Sequence, residues 1–252
     1  MQTKRYSVFI SVLIFALLVL LPGCSSHCQY ESQVTVKTIF TEAKPVHIVV
    51  NTQPYVVTDA ALSSLRSFFS DSLGLETEVS RVNLEGVTKS DSTQQNIFDA
   101  AVPVLKEAKE PTLVIFVVKS IHDFHGGGLS MGAETRYESG EHYPVCVVAL
   151  EHNWFLKNQV ESYLLKHEVG HWVGVPAGEC HKLKNNPSHC SSLRCVMMPG
   201  PGSDPLRCCL EAVLAVLFLG PPDFCDDCKA ELAAMKKLHE QIRSGGKPAP
   251  MK

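Results

Sequence analysis

The sequence predicts an α+β fold, a mixed twisted sheet with helices packed on it, followed by an irregular, cysteine-rich C-terminal subdomain. Three observations predict it. Apolar runs of strand length alternate with longer amphipathic stretches through the first two thirds of the chain. Residues 113–118 are apolar without interruption, as a strand buried on both faces must be. Seven of the ten cysteines then fall after residue 174, where strand signals cease.

The 252 residues suit one compact domain with a small appendage, and 45% hydrophobic with 19% charged residues is a globular composition. A formal charge of −3 gives no basis for nucleic-acid binding. Residues 1–23 read as a targeting signal. Lys4 and Arg5 precede an uncharged apolar run over 8–21, which ends Leu21-Pro22-Gly23-Cys24-Ser25. This ending resembles a bacterial lipoprotein cleavage box. The resemblance implies export, lipid on Cys24 and anchoring to the cell envelope, with Ser25 favouring the outer membrane of a diderm cell. An uncleaved signal anchor is the alternative, because the run approaches the roughly 20 residues that span a bilayer. Residues 24–44 are polar and expected to be a lipidated N-terminus and tether. The folded domain is expected over 45–243, divided into subdomains 45–174 and 175–243, with a disordered tail at 244–252.

Within the domain, the β-branched run 46–50 predicts a first strand. Thr58-Asp59 can cap a helix over 60–73, with Ala61, Leu62, Leu65, Phe68, Phe69 and Leu73 as its apolar stripe and Gly74 as its end. A second strand is expected at 75–82. An amphipathic helix follows at 93–108, carrying Pro103 as a possible kink. After strand 113–118, the glycine-rich stretch 122–136 reads as a loop and then an exposed strand. Residues 144–149 are a further buried strand, and 157–173 a helix stopped by Gly174. In the last 78 residues, 210–219 reads as a buried helix and 229–243 as a terminal helix.

The chemistry is concentrated in His167-Glu168-Val169-Gly170-His171. On a helix, residues four apart share a face, so His167 and His171 can offer two imidazoles to one metal ion. Glu168 is about 100° round the helix. Its carboxylate then stands beside the ion, where it can take a proton from water at an open position. Two ligands and a base at this spacing form the zinc-peptidase arrangement.

A third ligand must come from beyond the helix. In the metzincin pattern it would follow the glycine turn at Ala177, which has no ligand atom. The chain offers His181, Glu179 and His189 instead. His189 opens His-Cys-Ser-Ser-Leu-Arg-Cys-Val-Met, residues 189–197, and Cys225-Asp-Asp-Cys228 follows. This succession closely resembles the motif block of the archaemetzincins, a metzincin family of zinc peptidases.

The resemblance covers residues 46–243, with its specific motifs between 167 and 228, and implies a metzincin-like fold. It implies two zinc ions per chain. One is catalytic, on His167, His171 and His189, with Glu168 as general base and Met197 forming the turn beneath. The other is structural, on Cys190, Cys195, Cys225 and Cys228. His181 stays the alternative third ligand. Twelve residues, 177–188, are inserted before the His-Cys block. The gap from Met197 to Cys225 is also about ten residues longer than the family pattern, and such insertions cost little loop-closure entropy. A surface excursion over 177–188 is physically tolerable.

The resemblance further implies that residues 128–134 form the cleft-rim strand, where a peptide or protein substrate would bind by strand addition. Disulfides are the rival fate of the clustered cysteines in an exported chain. Cys180 could pair with Cys208 or Cys209, and Cys146 reads as a buried apolar residue. The rival readings of function are a peptidase with a glutamate third ligand, for which Glu211 is the candidate, and a non-catalytic lipoprotein, metal- or disulfide-stabilised, that binds a partner. Aminopeptidase and endopeptidase action both stay open. We expect a monomer, with the membrane as its other partner through Cys24.

Overall fold

The computed structural model describes residues 45–87, 93–119, 130–131, 134–136, 142–149, 157–192, 195–198 and 223–245. The expected signal, tether, helix over 210–219 and the tail beyond residue 245 lie outside them, as do Cys24, Cys28, Cys208, Cys209 and Glu211. No helix among the described residues is long and apolar enough to cross a membrane.

The elements are β1 (Val46–Asn51), α1 (Asp59–Ser67, continued by a π-helical turn over Phe68–Ser72), β2 (Thr77–Val82), α2 (Gln94–Glu107), β3 (Thr112–Val118), β4 (Ser130–Met131), β5 (Glu134–Arg136), β6 (His142–Ala149) and α3 (Lys157–Val173). A 3₁₀ turn (Glu179–His181), β7 (Lys182–Leu183), β8 (Asn186–Cys190) and α4 (Asp226–Arg243) complete the chain. The sheet order is β2-β1-β3-β6-β4, with β5 also on β6. β1, β2, β3 and β6 run parallel, and β4 and β5 pair antiparallel to β6. The sheet is therefore mixed, with the antiparallel partners at one edge.

β3 is central and every one of its residues is buried. The strand period of two divides it between two cores. Leu113, Ile115 and Val117 face α1, α3 and the C-terminal subdomain, whereas Val114, Phe116 and Val118 face Ile97 and Ala101 of α2. Each large side chain so buried stabilises the fold by roughly 1.5–3 kcal/mol. The first core positions the site, because Leu164, Leu165, Val169, Trp172 and Val173 anchor the inner face of α3 in it.

Thr58 caps α1 by accepting the Ala61 N–H at 3.3 Å, and its own N–H donates to Glu161 Oε2 of α3 at 2.8 Å. Wider winding in the π turn then buries two successive aromatics. Phe68 stacks on Phe224 at 5.1 Å between ring centroids, and Phe69 meets the edge of Trp172 at 6.1 Å. One turn thus joins α1 both to the C-terminal subdomain and to α3.

Two sequence expectations are corrected here. The region after 174 contains a hairpin, β7–β8, which its polar composition does not announce. Cys190 N–H donates beyond it to the Met197 carbonyl at 2.9 Å, and Ser191 N–H, donating to the His181 carbonyl at 2.7 Å, extends the pairing past Lys182 and Cys190. α4 also begins three residues before the expected Lys229. Cys225 is its N-cap, and Asp226 and Asp227 suit the positive end of the helix dipole.

Candidate metal centres

α3 ends in a tight glycine closure. Gly174 takes φ +93°, its N–H donates to the His171 carbonyl at 3.1 Å, and Val175 N–H reaches back to the Gly170 carbonyl at 3.0 Å. This is the left-handed C-terminal motif that glycine adopts without strain. It turns the chain immediately below the second histidine.

His167 and His171 lie one turn apart with their Nε2 atoms 3.2 Å from each other. Val196 O, in the turn between Cys195 and Met197, is 2.6 Å from His167 Nδ1. A carbonyl can only accept, so Nδ1 carries the proton and the Nε2 lone pair is turned towards His171. His189 completes the group, its ring centroid 5.2 Å from that of His167 and 4.8 Å from that of His171. The three donor nitrogens lie within 4.8 Å of one another. Burial lowers the His167 pKa against the opposing effect of the hydrogen bond it donates to Val196 O. Burial, with His167 close by, brings His189 down to about 4. Both rings are therefore neutral near pH 7, the form that ligates metal.

These observations fit zinc. Two nitrogens at 2.0–2.1 Å from a tetrahedral ion stand ~3.3 Å apart, and the observed 3.2 Å agrees. The proton on Nδ1 of His167, held by an outer carbonyl, is also what orients a ligating histidine. Glu168 is buried beside the group, with Oε1 3.9 Å from His167 Nε2. Below, Met197 is fully buried and packs against Gly170.

His181, the alternative third ligand, does not join these histidines. The buried Glu231 of α4 draws it away, with 2.9 Å between His181 Nε2 and Glu231 Oε1. The same carboxylate accepts the N–H groups of Ala177 at 2.9 Å and Gly178 at 2.5 Å. The inserted segment is consequently not a surface excursion alone, since it carries a buried side chain to the cysteines. The Glu179 side chain lies outside the described residues.

Cys190, Cys195, Cys225 and Cys228 converge from the β8 end, the following turn and the start of α4. Cys190 Sγ is 3.6 Å from Cys225 Sγ, and Cys195 Sγ is 3.5 Å from Cys228 Sγ. All four are free thiols. Cys190 is brought down to about 6, chiefly by its contact with Cys195. Cys225 is lowered too, first by Cys190, whereas contacts with the same group raise Cys195 and Cys228. Two sulfurs on a tetrahedral zinc stand ~3.8 Å apart, so this cluster also has dimensions that suit an ion. Cys180 is disulfide-bonded to a partner outside the described residues. Cys146 is free and fully buried in β6 under α3, and burial, then the Glu168 charge, raises its thiol well above the usual range.

Sequence reasoning passed over Glu231, the Val196 carbonyl and the role of Gly170. Glu231 alone left a signal. Positions 228, 231, 232 and 235 share one helix face, so an acid stands within the apolar stripe.

No family model matches the chain, and no curated protein does. Among solved structures it is similar to the archaemetzincin of Methanopyrus kandleri, at 17% identity and TM-score 0.45, over 77% of this chain and 95% of that one. It is also similar to the archaemetzincin of Archaeoglobus fulgidus complexed with malonate, at 14% identity and TM-score 0.37, over 75% of this chain and 99% of that one.

Proposed function

We propose that this protein is a zinc-dependent peptidase, exported and held at a membrane by lipid on Cys24. The observation that carries the enzymatic reading is the convergence of His167, His171 and His189 beside the buried carboxylate of Glu168. Zinc on these three nitrogens would polarise a substrate carbonyl and lower the pKa of water to about 7. The remaining work belongs to the chain. Val196 O fixes the His167 tautomer. Glu168 accepts one proton from the attacking water and delivers it to the amide nitrogen as the C–N bond breaks, leaving a carboxylate and an amine. β4, at the sheet edge, offers backbone groups to an extended peptide. The cysteine cluster would hold a second zinc that ties β8 to α4.

The test is the zinc content and peptide hydrolysis of the whole protein beside Glu168→Gln and His189→Ala. Glu168→Gln should keep its zinc and lose about 10²–10⁴-fold in rate. His189→Ala should lose one zinc ion and all hydrolysis. Hydrolysis unchanged in Glu168→Gln, or wild-type protein whose histidines take up no metal, would remove the reading.

A further inference from the structure

We propose that His181 is a ligand of the cysteine metal site, making it a three-sulfur, one-nitrogen centre of His181, Cys190, Cys225 and Cys228, with Glu231 as the carboxylate that orients the ring. The proposal departs from the four-cysteine set that the motif spacing suggests, and stands independently of peptidase activity.

Four observations lead to it. First, the donor atoms of these four residues all lie within 4.8 Å of one another, and three of the residues are buried. Second, His181 Nδ1 is 3.4 Å from Cys190 Sγ and 3.8 Å from Cys228 Sγ. A nitrogen and a sulfur sharing a tetrahedral zinc stand ~3.6 Å apart, between the two observed distances. Third, Nε2 faces the acceptor-only carboxylate of Glu231 at 2.9 Å. Nε2 therefore donates to that carboxylate, and Nδ1 is the nitrogen turned towards the sulfurs. A carboxylate behind an imidazole behind a metal is the usual outer support of a ligating histidine. Fourth, Cys195 stands outside that group of four, although its sulfur accepts N–H groups from Met197 and Cys225, each at 3.4 Å, and lies 3.5 Å from Cys228 Sγ.

The insertion thereby acquires a purpose. The 3₁₀ turn of Glu179–His181 delivers a ligand, and Glu231 binds both that ligand and the backbone at Ala177 and Gly178. The exit from the His167 helix is thus tied to the cysteine metal through one carboxylate.

The experiment loads the full chain with cobalt(II) and, separately, with ¹¹³Cd. The thiolate-to-cobalt absorption and the cadmium chemical shift each report how many sulfurs bind. Wild type should show three sulfurs. Cys195→Ser should leave both signatures in place, His181→Ala should change them, and Glu231→Gln should weaken metal binding about 10–100-fold at the same sulfur count. Four sulfurs in wild type, falling to three in Cys195→Ser, would overturn the proposal, and so would failure of the cysteines to bind either ion. The wild-type spectra decide it even where a variant fails to fold.

Discussion

Met197 Sδ occupies space that a side chain on Gly170 would claim, for a Cβ built at Gly170 would lie 2.2 Å from that sulfur. Gly170 is the fourth residue of the five-residue metal motif, and its bare face lets the Met197 turn rise against α3. Gly170→Ala should destabilise the protein by about 1–3 kcal/mol through overpacking, because the fully buried Met197 would have to shift to admit the methyl group. Met197→Ala should cost about 2–5 kcal/mol through the cavity it leaves. The double variant should lose less than the sum of the two, as touching residues do. Urea unfolding of the four proteins measures this, and strict additivity would deny the contact.

The thiols offer a chemical test of metal binding. In metal-loaded protein, Cys190, Cys225 and Cys228 should resist alkylation, and all three should react after chelation. Cys146, under α3 and away from the ions, should stay silent until the chain unfolds. Cysteine-resolved mass spectrometry reads each position separately. Identical labelling with and without chelator would show that no ion holds these sulfurs.

Glu161 should matter more than its distance from the metal ligands suggests. It is fully buried on α3 and accepts the N–H of Thr58 at the start of α1. Glu161→Ala strands that N–H and should cost about 1–3 kcal/mol. Glu161→Gln, which keeps an acceptor oxygen, should cost less. Equal losses in thermal or denaturant unfolding would exclude a role for this bond.

His239 gives a pH dependence with a defined sign. It is buried in α4, and neither ring nitrogen has a hydrogen-bond partner among the described residues. Burial, then the nearby Arg243 charge, lowers its folded pKa below the ordinary 6.5. The unfolded chain therefore takes up the proton first as pH falls. The stability that neutral His239 permits is present above pH 6.5 and is lost as pH drops through that value towards the folded pKa. His239→Leu should remove this part of the acid-side slope and raise stability by about 1 kcal/mol near pH 6, since an unsatisfied buried polar group is costly. An unchanged slope in unfolding curves between pH 5 and pH 7, the window around that ordinary value, would refute it.

Local periodicity made most of the sheet and α3 legible. The apolar run around Ile115 could only be a two-sided strand, and Gly174 marked the end of α3 by conformational necessity. The pairing of His167 with His171 follows from helix geometry, and so does the flanking position of Glu168. What sequence could not show is the work of contacts distant along the chain. The β7–β8 hairpin has no strand composition, and its Cys190 N–H is bonded outside it, to the Met197 carbonyl. Likewise, His181 and His189 are both plausible ligands from spacing alone. Their separation depends on Glu231, which is 50 residues beyond His181.

One peptide bond joins His189 to Cys190, and strand alternation sends their side chains to different groups. Under the proposed chemistry the two centres then share a common shaft. An ion seated among the sulfurs sets the rotation of β8 and with it the aim of His189, so hydrolysis would await a metal that never touches the substrate.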